Sequence, residues 1–239
     1  MNSTKYDWRT FSFLIGFSIV SFVIWRFPEG AYILYPFTIL GTWFHEISHG
    51  LMALILGGNF LYLEIFSNGS GVAHFTGPLF LGAIGSALTA SAGPLGPTIS
   101  GSVFLIASVY NKRARLFLIF VSLFMTATCL IWIRSWIGFG IILLWSIVIF
   151  FIALRGSEKF AVRTLQILSI QAFLSLYQSI DYLFSAGGEI GDKRFLSDTA
   201  VMAESLFLPY WFWGGAILLF SAILIILSFK FAFFKKRDN

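Results

Sequence analysis

Charge is what this chain has least of. Only 11% of its 239 residues are Asp, Glu, Lys or Arg, against 58% hydrophobic and 19% aromatic, with mean hydropathy +0.85. A soluble domain has no use for that much apolar surface, so the fold class is an all-α polytopic membrane protein with about six to seven transmembrane helices. Cysteine is nearly missing as well. The single Cys129 excludes an internal disulfide, and it lies in an apolar segment as a lipid-facing or core residue. The sequence has no internal repeat, which weighs against a transporter built from two related halves. The first apolar run, Thr10 to Trp25, is followed by no small-residue cleavage site, so it reads as a retained, marginal span rather than a signal peptide. The net charge of +5 comes from Lys and Arg at segment ends and reads as membrane topology, not as nucleic-acid binding.

Histidine is also scarce, with three in the chain, and two of them stand four residues apart in His45-Glu46-Ile47-Ser48-His49. On a helix, positions i and i+4 share a face, so both imidazoles can close on one metal ion. Glu46 beside them can take a proton from a metal-bound water, the chemistry of metal-assisted hydrolysis. The surrounding run from Gly30 to Leu63 is otherwise apolar, and ionisable groups at membrane depth are costly and usually functional. The bland alternative is a hydrogen-bonded polar cluster without metal.

The motif belongs to an apolar run from about Ala31 to Leu56 that stops at Gly57-Gly58-Asn59, a helix C-terminal signal. Residues 61–66 and 72–75 then read as two strands joined by Ser67-Asn68-Gly69-Ser70-Gly71, a short β-hairpin after the motif helix. A hairpin at membrane level needs its edges covered, and a free edge beside a protease site offers strand addition to an extended peptide. Farther on, Gly93-Pro94-Leu95-Gly96-Pro97 predicts a helix broken within the membrane, bordering a site. Gly93, Pro94 and His74 are the expected substrate-contacting residues.

Spans at 116–133 and 136–154 form a tight pair, followed by one from about Thr164 to Phe184 that contains Asp181. Residues 186–207 read as a polar loop, and 208–229 as the last span before the basic tail Lys230, Lys235, Lys236 and Arg237. The expected organisation is one membrane-embedded domain over residues 1–239. The positive-inside rule puts the loops at 111–115 and 155–163 and the tail in the cytoplasm of a bacterial-type inner membrane. The same count leaves Lys5 and Arg9 outside, against the rule, unless the first segment does not span or the hairpin region re-enters.

A catalytic zinc takes three protein ligands and keeps one position open. The candidates for the third are Asp181, Asp198, Asp192, His74, Glu64, Glu189 and Glu204. Asp181 is favoured on burial, as the one carboxylate inside a predicted span. Asp198 also reads as a helix N-terminal residue, common for Ser and Asp.

These motifs together resemble the site-2 protease family of intramembrane zinc metalloproteases, in particular its compact branch. The resemblance rests on His45-Glu46-Ile47-Ser48-His49-Gly50 with Gly57-Gly58, the hairpin, Ala92-Gly93-Pro94-Leu95-Gly96-Pro97, and Ser197-Asp198-Thr199-Ala200 with Pro209 and Trp211. It covers roughly residues 35–215. It implies Zn2+ held by His45, His49 and one aspartate, Glu46 as general base, and a transmembrane protein or peptide as substrate in the lipid bilayer. The chain departs from better-known members in having no Asp-Gly dipeptide. The resemblance points to Asp198, burial to Asp181, and the third ligand stays open between them. A non-proteolytic transporter or scaffold using the same polar cluster is the alternative. A zinc protease of another type with Glu204 as ligand lacks its E-x-x-x-D continuation.

Overall fold

The computed structural model describes residues 8–190 and 193–234. The order is α1 (Trp8–Trp25), α2 (Pro28–Ile55), β1 (Asn59–Ile65), β2 (Gly71–Thr76), α3 (Ala83–Ala107), α4 (Asn111–Ile131), α5 (Trp136–Arg155), α6 (Glu158–Gln178), α7 (Ile180–Leu183), β3 (Gly187–Ile190), β4 (Lys193–Leu196), α8 (Asp198–Leu206) and α9 (Tyr210–Phe234). Among the described residues, α1, α4, α5, α6 and α9 are long and apolar enough to cross a membrane. The chain is an integral membrane protein of largely helical build. Both α2 and α3 match these helices in length and run through the interior, where α3 packs on α2, α6, α8 and α9.

The motif helix α2 starts at Pro28, whose missing N–H costs nothing in a first turn. It ends in a Schellman arrangement. Gly58 N–H donates to Ala53 O at 2.9 Å and Gly57 N–H to Leu54 O at 3.1 Å, with Gly57 left-handed at φ +84°. That stop sends the chain straight into the β1–β2 hairpin, which forms where the turn residues predict it. The hairpin folds back along α2: Thr42 Oγ1 donates to Gly69 O and Tyr35 OH to Ser67 O.

The outer edge of β1 is covered by the α4–α5 connection. Leu63 N–H donates to Trp132 O at 2.9 Å, Arg134 N–H to Leu63 O at 3.0 Å, and Ile65 N–H to Ser135 Oγ at 2.8 Å. Covered backbone is what an apolar surrounding demands. In an antiparallel pair, residues that bond outward on one strand face partners that also point outward. Leu63 pairs with Ala73 and Ile65 with Gly71, so the backbone groups of Gly71 and Ala73 line the opposite edge, along α2.

Three expectations need correction. Pro94 and Pro97 do not break α3, which is continuous from Ala83 to Ala107. Each proline removes one donor, and the helix carries that loss while wedged among four neighbours. The span holding Asp181 ends earlier than predicted. It stops at Gln178, where Ser179 N–H turns back onto Ser175 O and Leu176 O, and Asp181 falls in the one-turn α7. The stretch read as a polar loop over 186–207 contains a second hairpin, β3–β4, and α8.

The basic segments share one end of the bundle. Arg115 donates to Ala153 O and Leu154 O at the end of α5, Arg163 lies over the Phe13 ring of α1, and Phe11 meets Phe233 of α9 at 5.7 Å. Arg9 therefore lies with the basic loops, where the sequence count had placed it opposite. By parity, α2 with its hairpin makes no net crossing between α1 and α3, which accounts for the miscount. Lys5 and the tail residues Lys235, Lys236 and Arg237 lie outside the described residues.

Candidate metal centre

The three faces of α2 around the motif have different neighbours. One carries Trp43, buried at 1% exposure, whose Nε1–H donates to Thr128 Oγ1 of α4 at 3.2 Å. This face belongs to a hydrophobic cluster that takes in Ile39, Phe44 and Ile47 with α4, α5, α6 and β1. A second face, Thr42 and Glu46 at i and i+4, looks at the edge of β2. There the backbone of Ala73 bonds the Glu46 carboxylate, and Gly71 lies against the side chain. The third face holds His45 and His49, ring centroids 4.9 Å apart, turned towards α3 and α8.

On that third face His49 Nδ1–H donates to Thr89 O of α3 at 2.8 Å. A carbonyl can only accept, so this bond fixes the tautomer and leaves the Nε2 lone pair facing inward, as in many metal-binding histidines. Asp198, the first residue of α8, comes from the other side. His45 Nε2 lies 3.0 Å from Asp198 Oδ2 and His49 Nε2 lies 3.2 Å from Asp198 Oδ1. A tetrahedral ion with arms of about 2.0–2.1 Å has ligand–ligand edges of about 3.3 Å, close to these separations. Asp198 Oδ2 is buried without a hydrogen-bond partner, although His45 Nε2 is so near. A carboxylate oxygen left in this way between two imidazole nitrogens is a place that a cation would fill.

Gly93 completes the cradle. A Cβ there would collide with Nε2 of His49 and crowd Nε2 of His45, so only glycine lets α3 approach this closely. Among the described residues, His45, His49 and Asp198 are the one group of three that could hold a metal ion. The donor set, the orphaned Oδ2 and the glycine cradle all fit a divalent cation of the zinc type.

Asp198 is locked by its sequence neighbours. Ser197 caps α8 by accepting from Ala200 N–H at 3.2 Å, and its Oγ–H donates to Ser185 O at 2.6 Å. Thr199 Oγ1 donates to Leu183 O at 2.8 Å. Both hydroxyls thus tie the start of α8 to the segment around α7.

The other sequence candidates lie elsewhere. Asp181 is exposed and outside the group; burial favoured it only while its span ran on to Phe184. His74 stacks on Tyr62 at 4.3 Å and faces Glu64 at 3.5 Å, on the hairpin and away from the group. Glu204 is exposed on the far part of α8. Asp192 and the side chain of Glu189 lie outside the described residues. Pro94 is buried within α3, beside Gly93.

The family described as peptidase M50B-like matches residues 14–228, most of the chain. The chain belongs to that family. It is thereby a member of the site-2 protease group of intramembrane metalloproteases. Comparisons with curated proteins and with solved structures give no match. The M50B-like match spans both α2 and α8, so the two halves of the group fall within one family domain.

One neighbour of the group escaped the sequence reading. Tyr182 of α7 has its ring 6.4 Å from that of His45, and its hydroxyl lies against the backbone of Asp198. A lone tyrosine at a helix end carries no periodic signal, and only the folding of α7 onto α8 brings it here.

Proposed function

We propose that this M50B-like chain is a zinc endopeptidase that cuts membrane-protein substrates within the bilayer. The observation that carries the reading is the convergence of His45 Nε2, His49 Nε2 and the Asp198 carboxylate at 3.0–3.2 Å, with Glu46 beside them. His45, His49 and Asp198 would hold Zn2+. A bound zinc would supply Lewis acidity, polarising a carbonyl oxygen and making water acidic near neutral pH.

The chain's own groups do the rest. Glu46 takes a proton from the attacking water as its oxygen adds to the scissile carbonyl carbon. It then gives that proton to the amine nitrogen as the C–N bond breaks. The Ala73 amide holds the Glu46 carboxylate in place between hairpin and helix. The Gly71–Ala73 edge of β2 lies along α2 and is taken up by Glu46, so an extended segment of substrate that pairs with β2 has to displace the Ala73 bond to do so. A transmembrane substrate would have to unwind locally to lie there. The basic end of the bundle would face the cytoplasm, with the metal group nearer the opposite end.

The test is Glu46→Gln in detergent-purified protein, assayed beside wild type for metal content and for cleavage of a transmembrane peptide. The expected outcome is about one zinc per chain in both and cleavage lower by at least about 10³-fold in the variant. Equal cleavage by the variant, or wild type folded without zinc under metal-replete conditions, would remove this reading.

A further inference from the structure

We infer that Tyr182 is a further substrate-contacting residue of this centre, donating its phenolic O–H to the carbonyl oxygen of the bond being cut. The inference rests on the protease reading above and deepens it. Four observations carry it. The Tyr182 ring lies 6.4 Å from the His45 ring, so the phenol borders the metal group. Its hydroxyl lies against the backbone of Asp198 at the first turn of α8. The amide there is one of the helix-end donors with no acceptor inside α8. A phenol oxygen that accepts this N–H keeps its own O–H free to donate elsewhere. The residue is 39% exposed, so the ring is not sealed inside the core and a substrate can reach it.

The fourth observation is rigidity. Leu183, the next residue, is fully buried, and its carbonyl accepts from Thr199; two residues on, Ser185 O accepts from Ser197. Tyr182 and Asp198 are sixteen residues apart in sequence, yet they are held as one unit by hydroxyls on both sides of Asp198. A donor fixed relative to the metal-binding carboxylate is preorganised for the place where negative charge develops on the carbonyl oxygen. The Ser-Asp-Thr sequence thus does two things: it offers a ligand and it aims a phenol.

The experiment is Tyr182→Phe, which keeps the ring and its packing and removes only the hydroxyl. Zinc content, steady-state cleavage of a transmembrane peptide, and binding of two inhibitors are measured on detergent-purified protein. One inhibitor is a phosphinic peptide, which mimics the tetrahedral oxygen; the other is a hydroxamate, which needs only the metal. The variant should keep its zinc and a KM within about threefold, while kcat falls about 10²–10³-fold, the usual loss for one such donor. It should bind the phosphinic peptide at least about tenfold more weakly and the hydroxamate within about twofold. A kcat within about twofold of wild type overturns the inference, as does loss of zinc or an equal weakening of both inhibitors, which would mark a structural tyrosine. Full activity in Tyr182→Phe beside an inactive Glu46→Gln removes this inference alone. Full activity in Glu46→Gln removes the protease reading beneath it.

Discussion

The two halves of the metal group are held by different forces. The α2 half carries His45, Glu46 and His49 on one helix, whose opposite face is packed into the larger hydrophobic cluster around Trp43 and Ile47. Its candidate ligands are positioned by helical periodicity and by side-chain packing. The α7–α8 half carries Asp198 on a nine-residue helix, next to a smaller cluster of Ala87, Ala90, Leu176, Leu183, Met202 and Ile217. There the position is set by hydroxyl-to-carbonyl bonds from Ser197 and Thr199. Packing tolerates small changes in shape, whereas a hydrogen-bonded latch is lost with one atom. The two halves should therefore fail in different ways.

The strongest way to break the contrast is at Asp198 itself. Asp198→Ala should lose zinc and all cleavage, while Asp181→Ala keeps one zinc per chain and activity within about twofold of wild type; metal analysis of both decides it. Retention of zinc by Asp198→Ala would mean that the α2 half binds metal without its partner. Next comes the seam between the halves. Gly93→Ala puts a methyl among the imidazole nitrogens, and the overpacking should cost about 1–3 kcal/mol of stability and most of the zinc affinity. A normal zinc isotherm for this variant would show that α3 does not press on the ligands. The smallest effects sharpen the contrast most. Thr199→Val keeps its shape and should weaken zinc about 10–100-fold with little change in thermal midpoint. Ile47→Ala should lower stability by about 2 kcal/mol while zinc affinity in the folded protein stays put. If the two variants behaved alike, the distinction between packed and latched halves would fall.

The same contrast explains what could be read in the sequence. His45, Glu46 and His49 were legible because a fixed helical period turns spacing into geometry, and an apolar setting makes three polar residues conspicuous. The hairpin was legible because Gly57 and Gly69 sit at positive φ, where turn residues announce themselves. Asp198 was visible only as one of several carboxylates, since 149 positions separate it from His49 and no local pattern measures that distance. Asp181 looked better because apolar residues continue past Gln178, but hydropathy does not register the Ser179 turn that ends α6. The prolines of α3 misled for a related reason. Counting lost donors predicts a break, yet four packed neighbours hold the helix together. Tyr182 gave no signal, because its role depends on where α7 folds.

The covered edge of β1 has a consequence for the products. Of the two strands, β2 is the one left for an added strand, once the bond from the Ala73 amide to Glu46 is displaced, and its outward groups recur at every second residue, about 6.8 Å apart. A peptide that slips along such an edge regains its bonds only after moving two residues, since a single step turns every side chain to the wrong face. Staggered cuts in one substrate would then differ by even numbers of residues, a ladder of fragment masses that reports the hairpin's register.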